Sequence, residues 1–90
     1  MKSLQRTKQF KKDVKRLQKQ GKDFTVLKAI IDKLRKGELL EARYLDHELK
    51  GKYKGVRECH LTSDWLVIYE ISETIIKLRR TGSHSELFKE

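Results

Sequence analysis

The sequence predicts an α+β domain in which an N-terminal αα-hairpin packs on one face of a small antiparallel β-sheet. Two observations lead to this prediction. Apolar residues recur at helical spacing up to residue 37, whereas residues 56–71 alternate as in a β-hairpin. The chain contains no proline, so neither helix has an internal breaker. With 90 residues and 37% apolar content, we expect a single domain, residues 1–90, with a thin core.

The first half of the chain predicts a short strand and then two helices. Residues 2–6 form the candidate strand. Thr7 is a suitable cap for a first helix that ends at Gly21, and Asp23 for a second helix that ends at Gly37. Residues spaced three and four apart form the apolar sides of the two helices: Phe10, Val14 and Leu17, then Phe24, Leu27, Ile30, Ile31 and Leu34.

The second half predicts a connection followed by an antiparallel meander. Glycine and short polar residues separate its apolar runs, which is typical of turns between strands. The predicted elements are a connection (38–46), a short strand (47–50), a turn (51–55), the central hairpin (56–61 and 65–71), a last strand (75–80) and a helical turn capped by Ser83 or Ser85.

Side-chain alternation in the central hairpin predicts which residues face the helices. Cys59 and Leu61 fall on one face of the first strand, and Glu58 and His60 fall on the other, away from the main core. Both faces of the second strand are apolar, which predicts a central strand covered on both sides. Cys59 is the single cysteine, so no internal disulfide is possible, and a small buried hydrophobe is its simplest interpretation.

The net charge of +9 lies entirely in the first half. Residues 1–40 carry 13 Lys and Arg against 4 acidic residues, whereas residues 41–90 carry 9 of each. A polyanion such as a nucleic acid is a natural partner for this charge, although a solvated surface or a docking site for an acidic protein is an alternative. The basic residues of the first helix, which would face such a partner, are Lys8, Lys11, Lys12, Lys15, Arg16 and Lys19.

No apolar run is long enough to span a membrane and no signal peptide is evident, so we expect a cytoplasmic protein without a membrane partner.

Three histidines, His47, His60 and His84, fall at strand edges or turns of the second half, where they can converge. A histidine with a pKa of about 6.5 can give or take a proton at neutral pH, although a single histidine is more often inert. The spacings of 13 and 24 positions match no metal-binding motif, so we expect no metal and no other cofactor.

Four further residues have both a structural and a functional interpretation. Asp64 suits a turn and Trp65 suits the core of a central strand. Phe88, in a charged tail, either packs back onto the domain or stacks on a ligand. Arg80 is a candidate phosphate ligand, but strand alternation places it on the inward face unless a bulge or twist at residues 81–82 redirects it.

Five motifs occur in order between residues 44 and 88: Asp46-His47, Gly51-x-Tyr53-x-Gly55, Arg57-Glu58-Cys59-His60, Asp64-Trp65-Leu66-x-Ile68-Tyr69 and Arg80-Thr81-Gly82-Ser83-His84-Ser85-x-Leu87-Phe88. Together they resemble the YafQ-like branch of the RelE superfamily of type II toxins. Ser63 departs from the pattern, because relatives often have proline there, which affects turn rigidity more than chemistry. The basic helical hairpin also fits, but the wider superfamily shares it, including the ParE-like gyrase poisons.

The resemblance implies a RelE-like fold and a ribosome-dependent mRNA endonuclease that a cognate antitoxin neutralises. Its partners would be mRNA, ribosomal RNA and the antitoxin. It implies metal-independent cleavage by the 2′-OH of the RNA, with histidines as base and acid in an undetermined assignment and Asp64 as orienter or base. In this scheme Arg80 stabilises the charge on the phosphoryl group, and Trp65 or Phe88 stacks on a base. The residues matching the family's active site are His47, His60, Asp64, Trp65, Arg80, His84 and Phe88.

Two other functions remain open at this stage. One is a non-enzymatic toxin of the same scaffold that inhibits a protein such as DNA gyrase, which would leave the histidines without a role. The other is a plain nucleic-acid-binding domain, which the charge favours, although the excess charge lies away from the histidines.

Overall fold

Five strands and three α-helices form the part of the chain that the computed structural model describes, residues 1–49 and 56–88. The predicted turn at residues 51–55 and the ring of Phe88 lie outside the described residues and side chains. The elements in order are β1 (Ser3–Arg6), α1 (Lys8–Lys19), α2 (Thr25–Arg35), a 3₁₀ turn (Ala42–Tyr44), β2 (His47–Glu48), β3 (Arg57–Thr62), β4 (Trp65–Ile71), β5 (Ile75–Gly82) and α3 (His84–Phe88).

The five strands form one sheet in the order β1-β5-β4-β3-β2. Strands β2 to β5 are an antiparallel meander, as predicted. Strand β1 is the exception to the predicted antiparallel sheet, since it runs parallel to β5 with Ser3 opposite Ile75. A parallel neighbour needs a long crossover connection, and the chain between β1 and β5 is long enough to provide one. The α+β class is confirmed.

Three of the four predicted signals mark the ends of the two long helices. The Thr7 hydroxyl accepts a hydrogen bond from the Phe10 amide at 3.0 Å and caps α1. At the start of α2 the N-cap is Phe24 rather than the predicted Asp23; the Asp23 carboxylate, one residue earlier, accepts a hydrogen bond from the Thr25 amide at 2.9 Å. Gly21 and Gly37 follow the two helices with φ of 75° and 76°, a conformation that glycine adopts most easily.

The sheet buries apolar side chains on both faces, so β4 is covered on both sides as predicted. On the opposite face from α1 and α2, Leu87 of α3 packs with Leu66 and Ile68. None of the helices in the described part of the chain is long and apolar enough to cross a membrane. The main core joins the two long helices to the sheet through Phe10, Leu17, Leu27, Ile30, Leu34, Cys59, Leu61, Trp65, Val67, Tyr69, Ile76 and Leu78.

Cys59 lies in the main core and is fully buried. Burial raises the pKa of its thiol to about 12, because the charged thiolate is poorly solvated there. The thiol therefore stays protonated at neutral pH, which supports its interpretation as a small buried hydrophobe.

A bulge in β5 places Arg80 on the face opposite to the one that simple alternation predicts. Tyr69 pairs with Leu78, but the next residue of β4, Ile68, pairs with Arg80, so Arg79 is an extra residue. One extra residue reverses the facing of the side chains that follow it. Arg80 therefore lies on the same sheet face as Ile68, away from the main core, and the bulge lies slightly earlier than the position considered from the sequence.

Candidate active site

Three histidines surround one buried carboxylate on the sheet face opposite the long helices. Nε2 of His47 lies 3.0 Å from Oε2 of Glu58, and Nε2 of His60 lies 4.0 Å from the same oxygen. Nε2 of His84 lies 3.5 Å from the other oxygen, Oε1. The His60 ring centroid is 6.1 Å from that of His47 and 5.8 Å from that of His84. We call this group the histidine cluster.

Strand pairing explains why three members of the histidine cluster share a face. His47 of β2 pairs directly with Glu58 of β3, and residues opposite each other in an antiparallel pair point to the same side. His60 follows Glu58 by two positions and so also points to that side. The convergence of residues 13 positions apart therefore follows from the β2–β3 register.

Helix α3 brings His84 onto the same face. The Ser83 hydroxyl accepts a hydrogen bond from the Glu86 amide at 3.2 Å, and the Glu86 carboxylate accepts one from the Ser83 amide at 2.9 Å. This reciprocal capping box fixes the start of the helix, where His84 is the first residue. Leu87, one turn later, packs on Leu66 and holds the helix against the sheet.

The chain before β2 fixes the orientation of the His47 ring. Nδ1 of His47 donates a hydrogen bond to the Leu45 carbonyl at 2.7 Å, so Nε2 is directed toward Glu58. Leu45 has φ of 48°, a left-handed conformation that is uncommon outside glycine and occurs often at functional sites. Asp46 anchors this segment to the sheet by accepting hydrogen bonds from the Tyr69 hydroxyl at 2.6 Å and from Nε of Arg57 at 3.2 Å.

Burial differs sharply within the histidine cluster. The side chain of Glu58 is 5% exposed and that of His60 is 18% exposed, whereas His47 and His84 are 51% and 52% exposed. Oε1 of Glu58 accepts no hydrogen bond within the described residues. A buried carboxylate is costly unless cations or donors compensate it, which accounts for the three imidazoles around Glu58; the two outer rings are about half exposed.

Arg80 is held by an aspartate of α1 rather than by the histidine cluster. Its Nε donates to Oδ2 of Asp13 at 2.8 Å, and its Nη2 donates to Oδ1 at 3.2 Å. In the sheet, Arg80 pairs with Ile68, which pairs in turn with Glu58. The three residues therefore share one row on one face, and the backbones of Arg80 and Glu58 are two strand spacings, about 10 Å, apart.

Asp64 and Trp65 lie at the edge of the site and make different contacts. Asp64 is exposed in the β3–β4 turn, and with Trp65 and Ser83 it lines a cavity of about 310 Å³ whose described lining includes none of the histidines. Trp65 is only 4% exposed; its Nε1 donates to the Thr81 hydroxyl at 2.8 Å, and its ring meets that of Phe24 edge to face at 5.6 Å. The structure thus favours the core interpretation of Trp65 over base stacking.

The basic residues of α1 differ in exposure, since Arg16 is partly buried and the others are exposed. Arg16 is an exception to the predicted basic face, because its guanidinium is ion-paired with Asp13 at 2.8 Å and with Glu86 at 3.0 Å. The other five side chains are exposed along the helix: Lys8, Lys11, Lys12, Lys15 and Lys19.

Comparison with known proteins identifies the family. A family model described as "Bacterial toxin of type II toxin-antitoxin system, YafQ" matches residues 2–89. The chain belongs to the YafQ toxin family. The mRNA interferase toxin YafQ of Escherichia coli K12 is 42% identical over 81 residues, which are 89% of this chain and 88% of that protein.

Solved structures of bacterial toxins share the fold. A copper-bound mutant toxin from Helicobacter pylori has a TM-score of 0.94 at 44% identity and covers 98% of this chain and 100% of its own. YafQ in the DinJ–YafQ complex of Escherichia coli has a TM-score of 0.90 at 37% identity, with coverage of 98% and 99%. The predicted YafQ-like resemblance is confirmed.

The histidine cluster also has the donor set of a metal site. The nearest ligand atoms of His47, Glu58 and His60 all lie within 4.8 Å of one another. Two imidazole nitrogens and a carboxylate oxygen suit zinc or copper. Sequence spacing alone did not indicate this grouping, because the strand register rather than a local motif creates it.

Two candidate site residues of this YafQ-family chain, Glu58 and Asp13, were absent from the residues predicted from the sequence. A signal for Glu58 was present, since it shares a strand face with His60 at a spacing of two. Asp13 had a weaker signal, as an acidic residue among the basic residues of the first helix. The side chain of Phe88 is not described, so both interpretations of it, packing on the domain and stacking on a ligand, stay predictions.

Proposed function

We propose that this chain is the toxin of a type II toxin–antitoxin system and cleaves mRNA on the translating ribosome in the cytoplasm. The observation that supports this proposal most is the histidine cluster, three imidazoles around one buried carboxylate on an open sheet face. Its relative in Escherichia coli is named an mRNA interferase toxin. A purely non-enzymatic inhibitor would give this arrangement no role.

The cleavage uses the 2′-OH of the substrate as nucleophile. A base removes the 2′-OH proton, an acid protonates the departing 5′-oxygen, and a cation stabilises the charge that grows on the phosphoryl oxygens. Each positioned proton transfer typically contributes about a hundred- to ten-thousand-fold in rate.

The two exposed histidines are placed to act as acid and base. His47 reaches the histidine cluster from the β2 side of the sheet, whereas His84 reaches it from the β5 side through α3. His47, whose Nδ1 donates to the Leu45 carbonyl and whose Nε2 is directed into the histidine cluster, is assigned as the general acid. We assign His84 as the base, and His60 and Glu58 as the groups that orient the two outer rings.

Arg80 supplies the cation on the same face of the sheet. A guanidinium binds two phosphate oxygens in a planar fork and keeps its charge at any pH relevant to the cell. In this proposal it stabilises charge that develops in the transition state rather than in the ground state. Asp64, at the exposed turn, contacts the flanking RNA.

The lysine side of α1 supplies affinity without sequence choice. Its five exposed lysines can neutralise phosphates of ribosomal RNA, and such binding weakens as salt increases. This basic surface also suits an acidic antitoxin segment. The DinJ–YafQ complex of Escherichia coli is the precedent for such a partner.

Substitution of His84 with alanine is expected to abolish cleavage in cells, because the substitution removes the proposed base. The measurement is primer extension on a reporter mRNA after induction of the wild-type chain or the variant. Wild type should give cuts at in-frame codon positions, and His84→Ala should give none. Ser85→Ala, the next and equally exposed position of α3, is the matched control and should cut like wild type.

Two results would redirect the proposal. Intact mRNA with growth still arrested would favour inhibition of a protein target, and a DNA gyrase supercoiling assay would follow. If His60→Ala and His84→Ala both leave the phenotype unchanged while Lys-to-Glu changes on α1 abolish it, the chain is a plain nucleic-acid-binding domain.

Cleavage is expected not to require a transition metal. In a purified translation reaction, a chelator of zinc and copper that spares the magnesium of the ribosome should leave the cleavage rate unchanged. Added zinc or copper should slow cleavage, because the metal would occupy the lone pairs of His47, Glu58 and His60. Loss of cleavage with the chelator and its recovery with zinc would contradict this expectation.

A further inference from the structure

A fully buried aspartate, Asp13, lies in a helix whose other charged residues are all basic. The proposed mechanism gives it no role. An ionised carboxylate is costly to bury, so a position of this kind is retained only when several donors compensate the charge.

The negative charge of Asp13 is compensated by hydrogen-bond donors from both its own helix and β5. Arg80 donates to it through two nitrogens, Arg16 donates to Oδ1 at 2.8 Å, and the Thr81 amide donates to Oδ2 at 3.2 Å. Burial raises the pKa of Asp13, but the hydrogen bonds from Arg80, Arg16, Thr81 and Gln9 together lower it below its usual value. The carboxylate is therefore ionised at neutral pH.

Asp13 accepts a hydrogen bond from the part of the β5 edge that β1 does not pair with. The β1–β5 pairing ends where Arg6 meets Leu78, so the following residues of β5 have no neighbouring strand on that side in the described part of the chain. The Thr81 amide points to this free edge and donates to Asp13 instead of to a strand. The same carboxylate thus fixes the backbone at Thr81 and the side chain of Arg80.

The hydrogen bonds with Asp13 leave one edge of the Arg80 guanidinium free to bind an anion. A guanidinium has five N–H donors in a planar fork, and Asp13 occupies the edge formed by Nε and Nη2. The remaining donors on Nη1 and Nη2 form a second edge, which matches two oxygens of a phosphate. The Arg80 side chain is 29% exposed, and within the described residues its guanidinium contacts no acceptor other than Asp13.

A second ion pair extends from Asp13 to the helix that carries His84. Arg16 contacts Asp13 and also lies 3.0 Å from Glu86 of α3, crossing the strand at Gly82. A Cβ atom on Gly82 would lie 2.6 Å from Nη2 of Arg16 and 2.9 Å from Oε1 of Glu86. A side chain at position 82 would therefore force the ends of Arg16 or Glu86 to shift from this crossing.

We propose that Asp13 is a positioning residue, which holds Arg80 with its free guanidinium edge toward the scissile phosphate, and that Arg16 couples it to Glu86 at the base of α3. This inference rests on the proposed cleavage of RNA. The inference gives a functional role to Asp13, the buried acidic residue of the basic helix α1.

The test is a double-mutant cycle in a purified translation reaction with the full chain. Asp13→Asn keeps the shape of the side chain but removes its charge, so Arg80 loses its fixed direction. We expect kcat to fall about a hundredfold with KM within about twofold of wild type, because misplacement of a transition-state contact costs rate rather than binding. In the Arg80→Ala background, Asp13→Asn should cause no further loss of kcat.

A matched control separates positioning from stability. Val14→Ala removes packing from the neighbouring position of α1 without touching Arg80. It should lower Tm while kcat, measured below that Tm, stays at the wild-type value. If kcat falls in Val14→Ala in proportion to its lost stability, the role of Asp13 is only structural and the inference is overturned.

A spectroscopic measurement tests the positioning without any variant. In the wild-type chain, the Nε–H of Arg80 should be protected from exchange with water at pH 7, because Asp13 accepts its hydrogen bond. An unprotected Arg80 signal would overturn the inference, even if Asp13→Asn fails to fold.

Other results of the double-mutant cycle also test the inference. Losses of kcat from Asp13→Asn and Arg80→Ala that multiply, or a wild-type kcat in Asp13→Asn, would overturn the inference while leaving the proposed function intact. A wild-type chain that does not cleave mRNA would instead overturn the proposed function, and the Arg80 signal would then show whether the positioning exists without it.

Discussion

Glu58→Gln is expected to reduce mRNA cleavage by about a hundred- to ten-thousand-fold while the chain stays folded. The amide has nearly the shape of the carboxylate, so packing is preserved. The substitution removes the negative charge that lies within 4.0 Å of His47, His60 and His84. The rings then lose the carboxylate that orients them. The measurement is the rate of codon-specific cleavage on purified ribosomes.

Glu48→Gln is the control for the Glu58 experiment. Glu48 lies beside His47 in β2, but it is exposed and its strand partner is Arg57. This variant should cleave at the wild-type rate, since only an exposed charge changes. If Glu58→Gln also cleaves at the wild-type rate, the histidine cluster is not the active site.

Trp65→Ala is expected to destabilise the fold by about 3–5 kcal/mol, a large part of the roughly 5–15 kcal/mol that holds a domain folded. The indole is buried against Phe24, and its Nε1 donates to the Thr81 hydroxyl. Removing the indole leaves a cavity, and the Thr81 hydroxyl loses the donor of its hydrogen bond. The measurement is the free energy of unfolding by urea, with Tm as a second readout.

Trp65→Phe separates the packing role of Trp65 from a stacking role. It keeps most of the ring and loses one hydrogen bond, worth about 1 kcal/mol, so the variant should fold and cleave near the wild-type rate. A Trp65→Ala chain with unchanged stability but lost cleavage would show that the ring acts on RNA instead of in the core.

Hydrophobic periodicity was sufficient to predict the secondary structure and the fold class. The caps at Thr7 and Ser83, and the stops at Gly21 and Gly37, are local signals that act within a few residues. The two-sided burial of β4 was likewise visible in its uninterrupted apolar run. The direction of strand β1 was harder to predict, because its parallel pairing with β5 depends on how the helical hairpin crosses the sheet.

The candidate site was only partly predictable. The sequence indicated the three histidines, and their convergence follows from the β2–β3 register and from α3. Alternation placed Arg80 on the wrong face, because one extra residue at Arg79 reverses the facing and no local motif marks it. Trp65 matched a family pattern that combines residues of the site with residues of the core.

The sequence by itself determined the elements, the family resemblance and the positive charge of α1, because periodicity, motifs and composition are properties of neighbouring residues. Only the tertiary structure decided that Glu58 lies among three histidines and that Asp13 holds Arg80, two residues 67 positions apart in the chain. The physical reason is burial. A carboxylate becomes a strong organising charge only when water is excluded around it, and the packing of distant segments is what excludes the water.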